Sequence, residues 1–261
     1  MTSPILVEVE GAIATIILNR PEVGNAIDVA LAEALLAAVE QCAADRRVRC
    51  LILHGAGRMF CVGGDVQAFA AAGDTVGALI DRITDPLHRA IVKLSTLPKP
   101  VVTAINGAAA GAGLGLAILG DVVLAAHSAK FTAGYGALGV TPDAGVSWFL
   151  PRLVGLRESQ RILFGGERIN ADEAARIGLV SRVVNEAELM DAARATAERM
   201  GGESGAAIGR TRLLLHSSFA DELETHLDNE ARSIARAAQA DEGREGVRAF
   251  LEKRRPQFER L

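Results

Sequence analysis

The opening of the chain carries two apolar runs that predict a pair of strands. Ile5–Val9 and Ala12–Leu18 are both rich in β-branched residues, which favour extended structure. Glu10-Gly11 between them is typical of a tight turn, so the two runs predict a hairpin. Asn19-Arg20-Pro21 then predicts the end of the second strand, because proline cannot continue a hydrogen-bonded ladder.

Beyond this hairpin, the hydrophobic pattern switches repeatedly between helical and strand spacing. Asp28 is a good capping residue for an amphipathic helix that runs to Ala43. Short apolar runs, typical of strands buried on both faces, then alternate with helical segments, and this alternation predicts an α/β fold with a buried parallel sheet. The predicted strands are Cys50–His54, Val101–Ile105 and Val122–Ala126, and the helices between them are Val66–Ala71, Gly77–Leu97 and Ala112–Gly120.

After Gly155 the pattern becomes almost entirely helical. We therefore divide the chain into an α/β core at residues 1–200 and a C-terminal helical region at residues 201–261, which covers the core or mediates assembly. The predicted helices are Leu156–Phe164, Ala171–Ile177, Glu186–Met200, Ser204–Ser217, Ala220–Ala238 and Glu242–Lys253.

Composition narrows the classes of function. The 261 residues are 49% hydrophobic with a net charge of −4 and no basic block, which disfavours nucleic acid as a partner. The three cysteines form no CxxC pair, so neither a disulfide framework nor a zinc site is indicated, and we expect no metal. The N-terminus has none of the features of a signal peptide, so we expect a cytoplasmic protein.

The 21 uncharged residues from Pro100 to Gly120 are long enough to span a bilayer. Asn106-Gly107 divides them into a strand and a helix, however, and five glycines interrupt the run. We therefore expect no membrane partner.

Two glycine-rich segments carry the strongest functional signal. Gly57–Val66 (GRMFCVGGDV) and Val101–Asp121 (VVTAINGAAAGAGLGLAILGD) each lead from a strand through small residues into a helix. This arrangement leaves backbone amides free at a helix N-terminus, and two such amides together can form an oxyanion hole. Each segment alone has a structural interpretation: a turn capped by Asp65, and close helix–strand packing. The GAGRMF turn is no dinucleotide fingerprint, since Phe60 takes the third glycine position.

These segments resemble the crotonase (enoyl-CoA hydratase/isomerase) superfamily, and the resemblance covers nearly the whole chain. FCVGGDV resembles its FxxGGD/FxAGAD segment, and AINGAAAGAGLGLAI resembles its second glycine-rich segment. ILNRPEVGNAID, LGVTPDAGVSWFLPRLVG, ADEAARIGLVSRVV and EGVRAFLEKRRPQF follow the family's order. The resemblance implies the crotonase-like (ClpP/crotonase) fold, a spiral of ββα units, and assembly as a homotrimer or a dimer of trimers.

The resemblance also implies a substrate linked to coenzyme A as a thioester, with no permanently bound cofactor. By position, the amides of Val62 and Ala112 would bind the thioester oxygen. The remaining family positions that would line the substrate are Glu22, Val23, Gly24, Ala26, Gly64, Asp65, Val66, Ala108, Gly111, Tyr135 and Pro142. Glu22 stands where some relatives have a lysine for the phosphates, so an arginine elsewhere would have to serve.

Within the resemblance, the residues at three family positions favour isomerisation over hydration. The family's hydratases hold a water with two glutamates, and the corresponding positions here are Gly115 and Tyr135. Asp143 instead follows Pro142, where the family's isomerases of the phenylacetate-pathway type have an aspartate that moves a proton between the α and γ carbons. We therefore predict an enoyl-CoA isomerase in which Asp143 is the base and the thioester enolate is held in the oxyanion hole.

Several alternatives stay open at this point. Asp143 could be only a turn residue, because Pro-Asp-Ala-Gly is good turn chemistry. His88 is a second candidate for proton transfer, while His54 is expected to be structural and Tyr135 and Trp148 could shape an acyl pocket. The other functions are hydration or another crotonase-type reaction with a nonstandard base, ring chemistry like that of the superfamily's aromatic dehalogenase, and noncatalytic acyl-CoA binding.

Overall fold

The structure is a computed structural model that describes residues 3–260. Two sheets organise it, with helices on both sides. The strands of the described chain are β1 (Ile5–Glu10), β2 (Ile13–Leu18), β3 (Cys50–Gly55), β4 (Val101–Ile105), β5 (Ala108–Ala110), β6 (Val122–Ala126), β7 (Lys130–Thr132), β8 (Arg168–Asn170) and β9 (Arg182–Val184). The helices are α1 (Val29–Ala44), α2 (Val66–Ala72), α3 (Val76–Thr96), α4 (Ala112–Ile118), α5 (Tyr135–Leu138), α6 (Val146–Gly165), α7 (Ala171–Arg176), α8 (Leu189–Gly201), α9 (Gly205–Ser217), α10 (Leu223–Gln239) and α11 (Asp241–Leu251).

The larger sheet has the strand order β1-β2-β3-β4-β6-β9. β1 and β2 form the predicted antiparallel hairpin, with Glu10 opposite Ile13 and Gly11 at a φ of 58° in the turn. All the other pairs in this sheet are parallel. Every residue of β4 is buried, as expected of a central strand covered on both faces. The prediction of an α/β fold with a buried parallel sheet is confirmed.

The smaller sheet, in the order β5-β7-β8, was not predicted. Each of its strands is three residues long, which is too short to display a two-residue hydrophobic period. After Gly155 the described chain is mostly helical, as expected, and its two strands β8 and β9 are three residues each. β5, a strand of the smaller sheet, continues directly into the N-terminus of α4.

Helix boundaries follow local chemistry closely. The Asp28 carboxylate caps α1 by accepting the amide of Leu31 at 2.8 Å, as predicted. α6 begins ten residues earlier than predicted and contains Pro151. It is broken at Gly155, whose φ of 78° is left-handed, so the predicted helix start at Leu156 marks this kink.

The C-terminal helices are anchored to the core by Arg212 of α9. Its guanidinium donates to both carboxylate oxygens of Asp121, at 2.8 and 2.5 Å, and to the carbonyls of Leu97 and Lys99. These partners lie at the ends of α3 and β4 and just before β6. Within residues 3–260 no helix is both long and apolar enough to cross a membrane, and Pro100–Gly120 folds into β4, β5 and α4.

Candidate active site

The two glycine-rich segments and the loop before α6 enclose one cavity of about 520 Å³. Its wall is apolar on the side of α2 and α3, and its polar side chains come from α5 and from the segment between α5 and α6. The lining residues are Val62, Gly63, Gly64, Val66, Phe69, Ile80, Ala110, Gly111, Ala112, Ala133, Gly134, Tyr135, Leu138, Gly139, Val140, Thr141, Pro142 and Asp143. Eight residues predicted from the sequence therefore meet here: Val62, Gly64, Val66, Gly111, Ala112, Tyr135, Pro142 and Asp143.

The assignment of Val62 as an amide donor to the substrate is wrong. Its amide donates to the carbonyl of Gly24 at 3.1 Å and is therefore not free. The preceding carbonyl, of Cys61, accepts the amide of Ala110 at 2.9 Å. In a trans peptide the C=O and the next N–H point in opposite directions, so the Val62 amide faces away from the second glycine-rich segment.

Gly64, and not Val62, has a backbone amide that faces the cavity. The carbonyl of Gly63 accepts the amide of Ile27 at 2.7 Å, and the amide of Asp65 donates to the carbonyl of Ile27 at 3.0 Å. The same trans-peptide geometry turns the N–H of Gly64 away from Ile27 and toward the cavity that it lines. No acceptor for this amide lies within the described part of the chain.

Ala112 supplies a second free amide. The carbonyl of Gly111 accepts the amide of Leu114 at 2.9 Å, which points it along α4 and points the Ala112 amide out of the helix N-terminus. The two segments touch: a Cβ on Gly63, where φ is 95°, would lie 2.8 Å from the Ala110 carbonyl oxygen and 3.4 Å from the Ala112 nitrogen. Gly64 and Ala112 thus offer two donors on one wall, as an oxyanion hole requires.

Small residues also make the close packing that the sequence suggested. A side chain on Gly113 would overlap the Cys61 carbonyl, and one on Gly107 would overlap the Arg58 carbonyl. Both interpretations of the glycine-rich segments therefore apply to the same structure. The tight packing is what holds the free amides in fixed positions.

Asp143 lines the same cavity and is half-buried. The Tyr135 hydroxyl donates to Asp143 Oδ1 at 2.7 Å, and Oδ2 has no hydrogen-bond partner among residues 3–260. The Asp143 side chain accepts no backbone amide, and α6 has no side-chain cap. The carboxylate is therefore not used as a turn or cap residue, although its main-chain carbonyl accepts the amide of Val146 at 3.0 Å.

Tyr135 is fixed as a donor by its surroundings. It is only 7% exposed, at the first residue of α5. Burial raises the pKa of its hydroxyl, and the nearby charge of Asp143 raises that pKa further, because both disfavour the phenolate. The hydroxyl therefore stays protonated at physiological pH and donates to the carboxylate.

His88 supports the Asp143 segment from α3. Its Nε2 accepts the amide of Ala144 at 3.2 Å, which requires the ring proton to be on Nδ1. Ala144 has a φ of 50°, a left-handed conformation that is strained for a residue with a side chain. His88 is thus one residue removed from the carboxylate. Its contact with the loop is through the backbone.

Gly115 could not carry the glutamate that hydratases have at this position. A Cβ there would overlap the carbonyl oxygen of Ala144 and lie 3.0 Å from the Ala144 Cβ. The strained Ala144 backbone therefore fills the space that a side chain on α4 would need. The loop that presents Asp143 and a glutamate at position 115 exclude each other in this conformation.

A neighbouring groove of about 720 Å³ contains the opening loop. Glu22, Val23 and Gly24 line it together with Arg58 and Val62. Arg58 was not identified as a site residue from the sequence, although it lies within the first glycine-rich segment and is the arginine that phosphate recognition would need there. Glu22 itself offers no positive charge to a phosphate.

Three predicted substrate residues lie outside both spaces. Asp65 caps α2 by accepting the amide of Ala68 at 3.1 Å and lies 3.6 Å from Arg20. Ala26 is buried, and its carbonyl accepts from Arg20 at 2.6 Å. The carbonyl of Ala108 accepts the amides of residues 60 and 61. These interactions hold the loops in place.

Comparison with known proteins identifies the family and the fold. The family model described as enoyl-CoA hydratase/isomerase matches residues 8–260. The chain is 38% identical over 259 residues to a 1,2-epoxyphenylacetyl-CoA isomerase of Escherichia coli, covering 97% of each. It is 39% identical over 251 residues to a probable enoyl-CoA hydratase of Rhodobacter capsulatus, covering 96% of each. A crystal structure of an enoyl-CoA hydratase from Polaromonas sp. JS666 superposes with a TM-score of 0.92 at 32% identity, covering 97% of this chain and 98% of the other.

Proposed function

The chain belongs to the enoyl-CoA hydratase/isomerase family, and we propose that within it the protein is an isomerase that moves a double bond along an enoyl-CoA thioester. The observation that carries this proposal is the unpartnered Oδ2 of Asp143, which shares one cavity with the free amides of Gly64 and Ala112. A base and an oxyanion hole are the two elements that a proton shift next to a thioester needs.

The reaction is a 1,3-proton shift. Asp143 Oδ2 takes a proton from C2 of a 3-enoyl thioester, and the electron pair of that C–H bond moves toward the carbonyl oxygen. The Gly64 and Ala112 amides donate to the resulting enolate oxygen, where the charge develops. The protonated Asp143 then returns the proton at C4, and the double bond ends between C2 and C3. The carboxylate is regenerated, so the step needs no resident cofactor.

Hydration is the second candidate, because several of the similar proteins are named as hydratases. It needs a water held and deprotonated by well-placed carboxylates, and neither Gly115 nor Tyr135 can act in that way. The Tyr135 hydroxyl is already committed to Asp143. A noncatalytic acyl-CoA-binding protein would need the groove and the amides but not the free carboxylate oxygen. These points favour isomerisation over both alternatives.

The acyl end of the cavity supports a hydrocarbon substrate. Val66, Phe69, Ile80, Leu138 and Val140 give the cavity an apolar wall. Burying an unpaired hydroxyl or carboxylate against such residues would be costly. Coenzyme A would enter as part of the substrate along the groove lined by Glu22, Val23, Gly24 and Arg58. We place this chemistry in the cytoplasm, in keeping with three buried cysteines that form no disulfide.

Incubation of the protein with a panel of 3-enoyl-CoA thioesters in heavy water tests this function. We expect conversion to the 2-enoyl isomers with deuterium at C2 or C4, since the Asp143 proton exchanges with solvent during the cycle. The absence of both conversion and exchange across the panel, with binding retained, would favour the noncatalytic alternative.

A further inference from the structure

One carboxylate oxygen of Asp143 is anchored and the other is not. Oδ1 accepts the Tyr135 hydroxyl at 2.7 Å, whereas Oδ2 has no partner within residues 3–260. From this asymmetry we propose that Tyr135 is a positioning residue, which locks the Asp143 carboxylate so that a single oxygen performs both proton transfers. This inference rests on the proposed isomerase function.

The backbone around Tyr135 fixes the orientation of its side chain. Gly134 turns the chain with a φ of 74°, and α5 begins directly at Tyr135. The amide of Val140 donates back to the Tyr135 carbonyl at 3.1 Å, which closes the loop between the tyrosine and Pro142-Asp143. The ring is nearly buried, so its hydroxyl has little freedom to leave the carboxylate.

The carboxylate would lack this order without the hydroxyl. The terminal torsion of an aspartate side chain is broad, so a free carboxylate samples many orientations. The proposed reaction requires one base to reach two carbons in turn, and a small misplacement of a reacting group can cost about 100-fold in rate. A donor on Oδ1 selects the orientations in which Oδ2 faces the substrate. Tyr135 thus acts on the proton transfers through Asp143.

A purely structural role for Tyr135 is the competing explanation. A buried aromatic ring stabilises the cavity wall whether or not it carries a hydroxyl, and removing the ring would damage the fold. The hydroxyl alone is therefore the group to test. Tyr135→Phe keeps the ring and removes one oxygen atom. Ser147→Ala removes another hydroxyl close to Asp143 in sequence, one that is exposed and outside the cavity.

The kinetic test compares these two variants on a 3-enoyl-CoA substrate. We expect Tyr135→Phe to lower kcat about 10- to 100-fold while KM stays within about twofold, because the ring in the cavity wall is kept and the carboxylate of the base loses its hydrogen-bond donor. Ser147→Ala should match the wild-type protein. A Tyr135→Phe protein that is folded and keeps wild-type kcat would overturn the inference.

A second readout does not depend on activity. Tyr135 is the chain's single tyrosine, so a protein grown with ring-labelled ¹³C-tyrosine gives one Cζ signal. We expect this signal to shift in Asp143→Asn, which changes the acceptor of the hydroxyl, and not in Ser147→Ala. An unchanged signal in Asp143→Asn would contradict the hydrogen bond itself. Wild-type protein without isomerase activity would refute the proposed function, and the signal would still report on the pair.

Discussion

Asp143 combines two properties that few carboxylates in a folded chain share: it is half-buried, and one of its oxygens is left without a partner. Most carboxylates of this chain with comparable burial are paired, as Asp121 is with Arg212 and Asp28 is with Arg20. An unpaired oxygen facing a cavity is available to accept a proton. The chemistry that we propose depends on that oxygen.

Asp143→Asn is expected to remove nearly all turnover while acyl-CoA binding stays within a few-fold. Asparagine has the same size and can still interact with Tyr135, but it cannot accept a proton at neutral pH. The loss of a general base commonly costs about 10²–10⁴-fold in rate. Steady-state kinetics and calorimetric binding of a saturated acyl-CoA measure the two effects. Retained isomerisation would transfer the role of the base to another residue.

Gly115→Ala is expected to destabilise the protein by about 1–3 kcal/mol, the usual cost of overpacking. The new methyl group would collide with the Ala144 carbonyl. Gly77→Ala is the matched control, since a Cβ at that position in α3 meets no atom within 4 Å. Denaturant unfolding gives both free energies. Equal free energies of unfolding for the two variants would contradict this prediction. They would mean that the loop around Ala144 can move to make room for the methyl group.

At the scale of elements, α3 and the loop before α6 act together. The only side chain in the described structure that accepts the Ala144 amide is His88, on α3. This link ties the strained residue to a helix that is itself buried along Ile83, Leu87 and Leu94. The position of Asp143 therefore depends on the docking of α3 as well as on its own loop.

His88→Ala is expected to lower kcat several-fold and the free energy of unfolding by about 1 kcal/mol, which is typical of a lost hydrogen bond. KM should change little, because His88 does not line the cavity. His127→Ala serves as the control, since His127 is exposed and its partner Asp172 lies 3.6 Å away on the surface. Kinetics and thermal unfolding of both variants test this link. Wild-type kcat and stability in His88→Ala would show that the loop around Asp143 keeps its conformation without the hydrogen bond to His88.

The same scale explains which features could be predicted from the sequence. Hydrophobic spacing predicts the long helices α1 and α3, and apolar runs predict the parallel strands. Asp28 predicts the start of α1. The three-residue strands β5, β7 and β8 carry no such period, and their pairing is decided by distant partners.

The candidate site was predictable in outline, but the direction of one amide, the placement of Ala26, Asp65 and Ala108, and the presence of Arg58 were not. Asp143, Ala112 and Tyr135 occupy positions that the family resemblance identifies directly. The direction of a loop amide is different: Val62 faces Gly24 and Gly64 faces the cavity because of hydrogen bonds to residues about 38 positions earlier in the chain. The orientation of the peptide groups between Cys61 and Asp65 decides which amide faces the cavity. No local sequence pattern predicts that orientation.

On the scale of the whole molecule, the C-terminal helices expose an apolar surface that a lone chain would not need. Leu213 and Leu215 of α9 are exposed, as are Leu227 and Ile234 of α10 and Phe250 of α11. Many large apolar side chains exposed in one region of a chain are typical of a surface that contacts another protein. We propose that it is buried between copies of the chain, in a trimer or a dimer of trimers.

Light scattering at micromolar concentration is expected to give the mass of three or six chains. Phe250→Glu should shift the population toward smaller species, because a charge would be buried in the contact. Arg244→Glu on the same helix is the control, since this side chain is 71% exposed and polar. A stable monomer for the unmodified protein would contradict the assembly.

The preference for isomerisation over hydration is the central claim, and a direct comparison of the two rates tests it. One preparation would be assayed for conversion of 3-enoyl-CoA to 2-enoyl-CoA and for hydration of crotonyl-CoA. Both reactions would use the Gly64 and Ala112 amides, but only hydration needs the carboxylates that Gly115 and Tyr135 replace. We predict that isomerisation exceeds hydration by about 10²-fold or more, the usual cost of a missing general base. Hydration as fast as isomerisation, or faster, would contradict the account.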